Sequence, residues 1–488
     1  MKKLLLFILF PFYLFGQTQI GQDIDGESAG DFSGHSISLS SDGNILAIGA
    51  IDNDGNGISS GHVRIFRNNN NVWEQIGSDI DGEGSYNQFG VSVSLSSDGN
   101  TLAVGAPLNS LTGGGFESGH VRIYRNNNDV WEQIGDDIDG PESSYSGNSV
   151  SLSSDGSIVA IGIQNYSDNT NFLPKVGQVR IYRNNNNTWE QIGNNINGQT
   201  AYDYFGEVVS LSSNGNIIAI GASNNDTNGL SSGQVRIYKN IDNYWTQVGN
   251  EINGDNIGAS FGSFISLSSD GNILAIGGSM VTENGDFTGK VKVYKNIDNN
   301  WVQLGNEFIG SPANRLGSSV ELNSDGSIIA ISLEYANFFK GLVKIYKFID
   351  NNWIQLGNDI IGESESDQFG SSLSLSFNGN IIAIGAIYNA ENGTDSGHVR
   401  VYDLSVVLST EESNVFNFSM YPNPSKNKFN IELSSELIIK KIEVFNSIGL
   451  LVKTAQKKEI TTSSFATGIY FVRITTNKGK AIEKLIIE

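Results

Sequence analysis

The chain has 488 residues, 52 acidic and 30 basic side chains, a formal net charge of −22 and no cysteine, which excludes disulfides, thiolate metal sites and cysteine nucleophiles. Glycine supplies 57 residues and proline 7, with 38% hydrophobic, 10% aromatic and only 17% charged residues. Average usage is ~7% glycine and ~25% charged, so many short strands joined by tight turns are expected rather than disorder or a collagen-like chain. The charge is uneven. Residues 17–414 hold 17 basic and 46 acidic groups, whereas residues 415–488 hold 11 and 6. An acidic body of this kind repels phosphate, which excludes nucleic acid as a partner.

In chain order, Lys2 and Lys3 precede an apolar run from Leu4 to Phe15 that ends at Gly16. This is the pattern of a signal peptide over residues 1–16. The run is too short, and broken by Pro11, to span a bilayer that needs ~20 residues. No second stretch of that length follows, so no membrane-spanning segment is expected.

Seven copies of one unit come next. The leucine of Ser-Leu-Ser-Ser-Asp-Gly and its variants (Leu39, Leu95, Leu152, Leu211, Leu267, Leu322, Leu375) recurs at spacings of 56, 57, 59, 56, 55 and 53 residues. Each copy reads as four strands, as at Val91 to Ser96, Thr101 to Ala106, Gly119 to Tyr124 and Trp131 to Gly135. The first alternates polar and apolar residues; the second is apolar throughout and so buried on both faces. Asp98-Gly99 and its equivalents are read as two-residue primed hairpin turns. Six copies have a fourth-strand tryptophan, and Thr18-Gln19-Ile20-Gly21 supplies the seventh such ending before the first unit. The chain therefore starts on a fourth strand and closes a ring, which gives an all-β, seven-bladed β-propeller over residues 17–404.

The unit Phe89-Gly90-Val91-Ser92-Val93 with Leu102 to Pro107 resembles the FG-GAP repeat of integrin α-subunit propellers, especially its bacterial variety. Integrin repeats often hold calcium in an Asp-rich loop, and here that loop has shrunk to Ser-Ser-Asp-Gly-Asn. The resemblance therefore transfers no calcium site.

Residues 405–415 read as a linker and 416–488 as a small Ig-like β-sandwich of alternating strands. Tyr421-Pro422-Asn423-Pro424, Val444-Phe445-Asn446 with Gly449, Gly468-Ile469-Tyr470 and the Lys484-Leu485-Ile486-Ile487 ending resemble the type A C-terminal sorting domain of the type IX secretion system of Bacteroidetes. That resemblance implies the type IX machinery as a partner and a secreted or outer-surface destination. An ordinary Ig-like binding module is the alternative.

Candidate chemistry is sparse. Gly57-Ile58-Ser59-Ser60-Gly61 and Gly229-Leu230-Ser231-Ser232-Gly233 fit the Gly-x-Ser-x-Gly pattern but lack its strand-turn-helix context. His62, His120 and His398 share one repeat position that holds Gln178, Gln234, Lys290 and Leu342 elsewhere, and are read as half-exposed strand starts; His35 stands alone. Asp52, Asp54 and Asn56 form the one calcium candidate, with spaced oxygen ligands but no downstream bidentate glutamate. The tryptophans are read as packing between blades rather than sugar platforms. No catalytic residue and no cofactor beyond that calcium is assigned. The expected function is a non-enzymatic surface or secreted binding or adhesion protein. It would contact an extracellular protein or glycan through blade loops such as Leu108 to Ser118, Gln164 to Val176 and Ser279 to Thr288. The alternatives are a polysaccharide-active enzyme on a propeller scaffold and a structural surface protein.

Overall fold

The computed structural model describes residues 17–488 except 111–116, 256, 284–285, 410–417, 435–436, 447–450, 464 and 477–478. The signal-peptide reading of residues 1–16, most of the linker and Gly449 lie outside the described residues. The chain divides into two units, Met1–Ser405 and Val406–Glu488.

Within the first unit, seven antiparallel sheets repeat one strand order. The first blade comprises Ser33–Leu39, Ile45–Ala50, His62–Asn68 and Trp73–Gln75, followed by the two-residue strand Ile80–Asp81. That short fifth strand, absent from the four-strand reading, turns back to pair with the head of the third: His62 faces Asp81 and Val63 faces Ile80. The last blade is built from both ends of the chain. Phe369–Leu375, Ile381–Ala386 and His398–Asp403 are completed by Thr18–Gln19 and Ile24–Asp25. Thr18 faces Asp403 and Gln19 faces Tyr402, as the Thr-Gln-Ile-Gly start implies.

The turn between the first two strands differs from the two-residue reading. Ser96 N–H donates to Thr101 O and Gly99 N–H to Ser96 O, so the loop holds four residues. Gly99 takes φ +69°, while the Asp98 carboxylate accepts from Ser96 Oγ and Asn100 N. The repeated aspartate is therefore consumed within its own turn, and its carboxyl sits below the ordinary range; burial opposes that shift, and the hydrogen bonds outweigh it.

Blades meet through two repeated contacts. Five of the six tryptophans, all but Trp131, donate to a carbonyl of the preceding blade, as when Trp73 Nε1 donates to Ile20 O at 3.0 Å and Trp245 Nε1 to Ile192 O at 3.1 Å. The glycine closing Trp-x-Gln-Ile-Gly is required there. Gly21 sits at φ +76°, and a Cβ on it would lie 2.8 Å from Asn71 O and 3.1 Å from the Trp73 ring. Nearer the axis, a serine Oγ accepts the leucine amide of the next blade: Ser38 from Leu95, Ser94 from Leu152, Ser151 from Leu211, Ser210 from Leu267, Ser266 from Leu322. Ser374 accepts from Leu39, which closes the ring.

The second unit has two antiparallel sheets, of three and four strands. Phe429, Ile431, Ile442, Val444, Val472, Ile474 and Leu485 share one core between them.

Candidate functional site

One end of the propeller carries two sets of loops that are bonded to each other. After the second strand, loop 51–61 lies beside loop 82–90: Tyr86 N–H donates to Ile58 O and Gln88 N–H to Ser59 O. The same two-rung pairing joins Tyr202 to Pro174 and Tyr204 to Lys175, Gly258 to Leu230 and Ser260 to Ser231, Ser366 to Phe338 and Gln368 to Phe339. Rigid backbone thus holds large apolar side chains in solvent. Phe172 is 88% exposed, Phe338 80%, Leu230 69% and Tyr86 61%.

The calcium candidate sits in one of these loops, and its polar atoms have local partners. Asp54 Oδ1 accepts from Ser59 N at 2.8 Å, Asn56 Nδ2 donates to Gly82 O at 2.9 Å, and Asp52 Oδ1 accepts from Gln88 Nε2 at 3.4 Å. The loop itself recurs in other blades. Asn53, Asn225 and Asn389 each accept the amide two residues on, and Asn56, Asn228 and Asn392 each reach a carbonyl of the neighbouring loop. Ala390 replaces Asp54 in the last blade without loss of the loop, so the repeated pattern needs no cation. The two Gly-x-Ser-x-Gly strings belong to the same loop, with Ser59 and Ser231 at φ +49° and +47° and no helix following.

The three aligned histidines are not half-exposed. His62, His120 and His398 are 1%, 2% and 0% exposed, because the fifth strand covers the head of the third. Their cross-strand partners are Asp81, Asp139 and Asp25. Where the repeat has glutamine, the partner is asparagine: Gln178 Nε2 donates to Asn197 Oδ1 at 2.8 Å and Gln234 Nε2 to Asn253 Oδ1 at 2.9 Å. Lys290 and Leu342 face Ile309 and Ile361.

Around each histidine lies a set of charges that sequence reading missed, since its members come from separate loops. Glu27, His62 and Asp79 form one group, Glu83, His120 and Asp137 a second, and Asp23, Glu363, Glu391 and His398 a third; within each, donor atoms lie within 4.8 Å of one another. An arginine two residues past the histidine enters each. Arg122 bridges Asp137 and Glu83, and Arg400 bridges Asp23 and Glu363. Burial pulls the His62 and His120 imidazoles down to about 4, with Arg64 and Arg122 pushing the same way. Burial also lowers His398, against the pull of Asp23 and Asp25. The change of cross-strand partner from blade to blade was the signal available in the sequence.

Symmetry also breaks at three glutamates, Glu321 within a first strand, Glu207 just before one and Glu334 just after a second strand. Glu321 takes the place of the ring serine in the sixth blade, and burial pushes its carboxyl up to about 8 against a hydrogen bond from Ser266. Glu334 is raised by burial to about 7, opposed by Arg315, and Glu207 is raised by burial against a hydrogen bond from Ser223. His35, lowered by burial, feels only Asp52.

In the second unit, Asn423 clamps the last strand, accepting from Ile486 N at 2.9 Å and donating to Lys484 O at 2.8 Å. Tyr421-Pro422 and Asn423-Pro424 are cis. Tyr470 Oη donates to Ala466 O, and Gly468 opens the long strand Gly468–Thr476.

Two family models match the chain, one in each unit. The FG-GAP repeat family model matches residues 197–238 and 362–402, and the secretion system C-terminal sorting domain model matches residues 419–488. The ulvan lyase NLR42 of Nonlabens ulvanivorans is 29% identical over 89 residues, which cover 17% of this chain and only 16% of the lyase. A solved structure assigned as a 6-phosphogluconolactonase of Bacteroides uniformis aligns over 68% of this chain and 87% of its own, at 12% identity and a TM-score of 0.48. No helix among the described residues is long and apolar enough to cross a membrane. The chain thus carries FG-GAP repeats in an all-β propeller and a type IX sorting domain that directs it to the cell surface or the extracellular space.

Proposed function

We propose that the propeller is a binding module that contacts an extracellular protein or glycan through its paired-loop face. The observation that carries this reading is the set of exposed apolar side chains, Phe172, Phe338, Leu230 and Tyr86, held on loops that brace one another through backbone hydrogen bonds. Exposed apolar groups on a rigid backbone lose little entropy on contact, which is what an interface anchor needs. The acidic body favours neutral or basic partners over polyanions.

A polysaccharide-active enzyme is the second reading, supported by the partial likeness to an ulvan lyase and by Glu207, Glu321 and Glu334, whose carboxyls burial raises. Acid–base cleavage uses groups that act on one bond together. Glu207 lies in the fourth blade and Glu321 and Glu334 in the sixth, and the exposed apolar loop residues make binding the first reading.

The test is an array of glycans and extracellular proteins probed with the full-length chain, with released sugar ends assayed in parallel. Saturable binding is expected, reduced ~10-fold or more in the Phe172→Ser/Phe338→Ser double variant with its melting temperature unchanged, as for interface anchors. Release of unsaturated or reducing ends would instead establish the enzyme.

A further inference from the structure

We propose that Asp23, Glu363, Glu391 and His398 bind one first-row divalent cation of the zinc or manganese class, and that this ion fastens the N-terminal strands to the last blade. The donor atoms of all four lie within 4.8 Å of one another. One imidazole with three carboxylates suits zinc or manganese, whereas calcium takes oxygen donors almost exclusively.

A cluster of acids alone would not carry this. The second observation is His398 itself, fully buried, with neither ring nitrogen hydrogen-bonded. Its Nδ1 lies 3.5 Å from Asp23 Oδ2 and 3.9 Å from Asp25 Oδ1. A buried polar group without a partner requires an explanation, and a lone pair aimed among carboxylates has one in a metal ion.

The two sister clusters sharpen the case. Each sets two carboxylates against one arginine, and in the second cluster Arg122 bonds to both. The last blade adds a third carboxylate, Glu391, where the same loop carries Gly55 in the first blade and Thr227 in the fourth. Arg400 answers Asp23 and Glu363 but leaves Glu391 uncompensated. A dication entering beside His398 displaces the guanidinium from one carboxylate, and Arg400 keeps its contact with the Tyr402 hydroxyl at 3.4 Å.

Position gives the ion its role. Asp23 lies between the strands Thr18–Gln19 and Ile24–Asp25, which complete the last blade, and the other three ligands come from residues 363–398. A ligand that binds only the closed ring stabilises it by mass action.

The experiment uses the full-length chain stripped with a chelator and titrated with Zn²⁺ or Mn²⁺ by calorimetry. Uptake of one ion per chain is expected, weakened ~10-fold or more in His398→Gln and in Glu391→Thr, as for the loss of a metal-site residue. Both substitutions borrow residues that sister blades already carry. His120→Gln, in the second cluster, is expected to bind as wild type. Backbone amide exchange over residues 18–25 is expected to slow when the ion is added. The absence of saturable uptake, or uptake lost in His120→Gln but kept in the other two variants, overturns the site. Unchanged exchange over residues 18–25 with an ion bound overturns the fastening role.

Discussion

Blades one, two and seven place a histidine at the head of the third strand against an aspartate. Blades three and four place a glutamine there against an asparagine, and blades five and six a lysine or leucine against an isoleucine. The cross-strand pairing recurs throughout, although in the sixth blade the fourth and fifth strands run on as one, Asn352–Ile361, and His62, Gln178 and Leu342 are all buried. Histidine, amide, lysine and leucine heads therefore all support the same cross-strand pairing. What the fold does not require it leaves free to vary, and the histidine blades thereby gain buried groups whose titration is set by burial.

The largest consequence is acid sensitivity. His62 and His120 titrate near 6.5 when unfolded and near 4 in the propeller, because burial disfavours the imidazolium. As pH falls from 6.5 to 4, the unfolded chain takes up protons that the folded chain refuses, so stability is lost across that window. At 2.5 pKa units the loss is about 3 kcal/mol per histidine. The His62→Gln/His120→Gln variant should match wild type at pH 8 and exceed it by ~6 kcal/mol at pH 4. Denaturant midpoints read by tryptophan fluorescence report this directly, since all six tryptophans lie in the propeller. Equal acid slopes for the two proteins would show that the buried histidines do not set the response.

The repeats made much of this architecture legible. Leucines at near-constant spacing located every inner strand, and Thr18-Gln19-Ile20-Gly21 revealed the shared last blade because an outer-strand ending stood where no unit preceded it. The paired short strand was not legible, since Ile80-Asp81 is too brief to show periodicity. With it went the burial of His62, His120 and His398, whose exposure depends on what covers them and not on their own strand. The last-blade cluster escaped for a topological reason: Asp23 and His398 lie 375 residues apart and meet only because the ring closes. In the second unit the motif Tyr421 to Pro424 was recognisable, but the clamp that Asn423 places on the final strand required the structure.

A smaller effect separates two arginines at one repeat position. Arg400 holds Asp23 and Glu363, so Arg400→Met strands carboxylates in a half-buried cluster and should cost about 3 kcal/mol. Arg236 is 2% exposed and has no carboxylate in ion-pair range among the described residues. Its guanidinium lies 4.1 Å above the Phe205 ring, with one hydrogen bond, to Tyr238 Oη, and two nitrogens unpartnered. Replacing such a group by an apolar side chain of similar length is neutral or favourable, so Arg236→Met should gain ~1 kcal/mol or leave stability unchanged. A loss of equal size at both positions would mean that packing of the stem, rather than charge pairing, governs the site.

The inner ring offers the finest comparison, between six serines and one glutamate. Ser94→Ala removes the acceptor of the Leu152 amide at 3.0 Å and should cost ~1–2 kcal/mol, since the amide is left unpaired between two blades. Glu321→Ser does the reverse by restoring the seventh hydroxyl. The folded chain holds the Glu321 proton up to about pH 8, whereas the unfolded chain releases it near 4.5, so wild type loses stability as pH climbs between those values. The serine variant should lack that decline and be more stable at pH 8 by ~1 kcal/mol or more. A variant that gains stability while losing binding on the array would tie Glu321 to the ligand. A variant that loses stability would place Glu321 among the groups that hold the blades together.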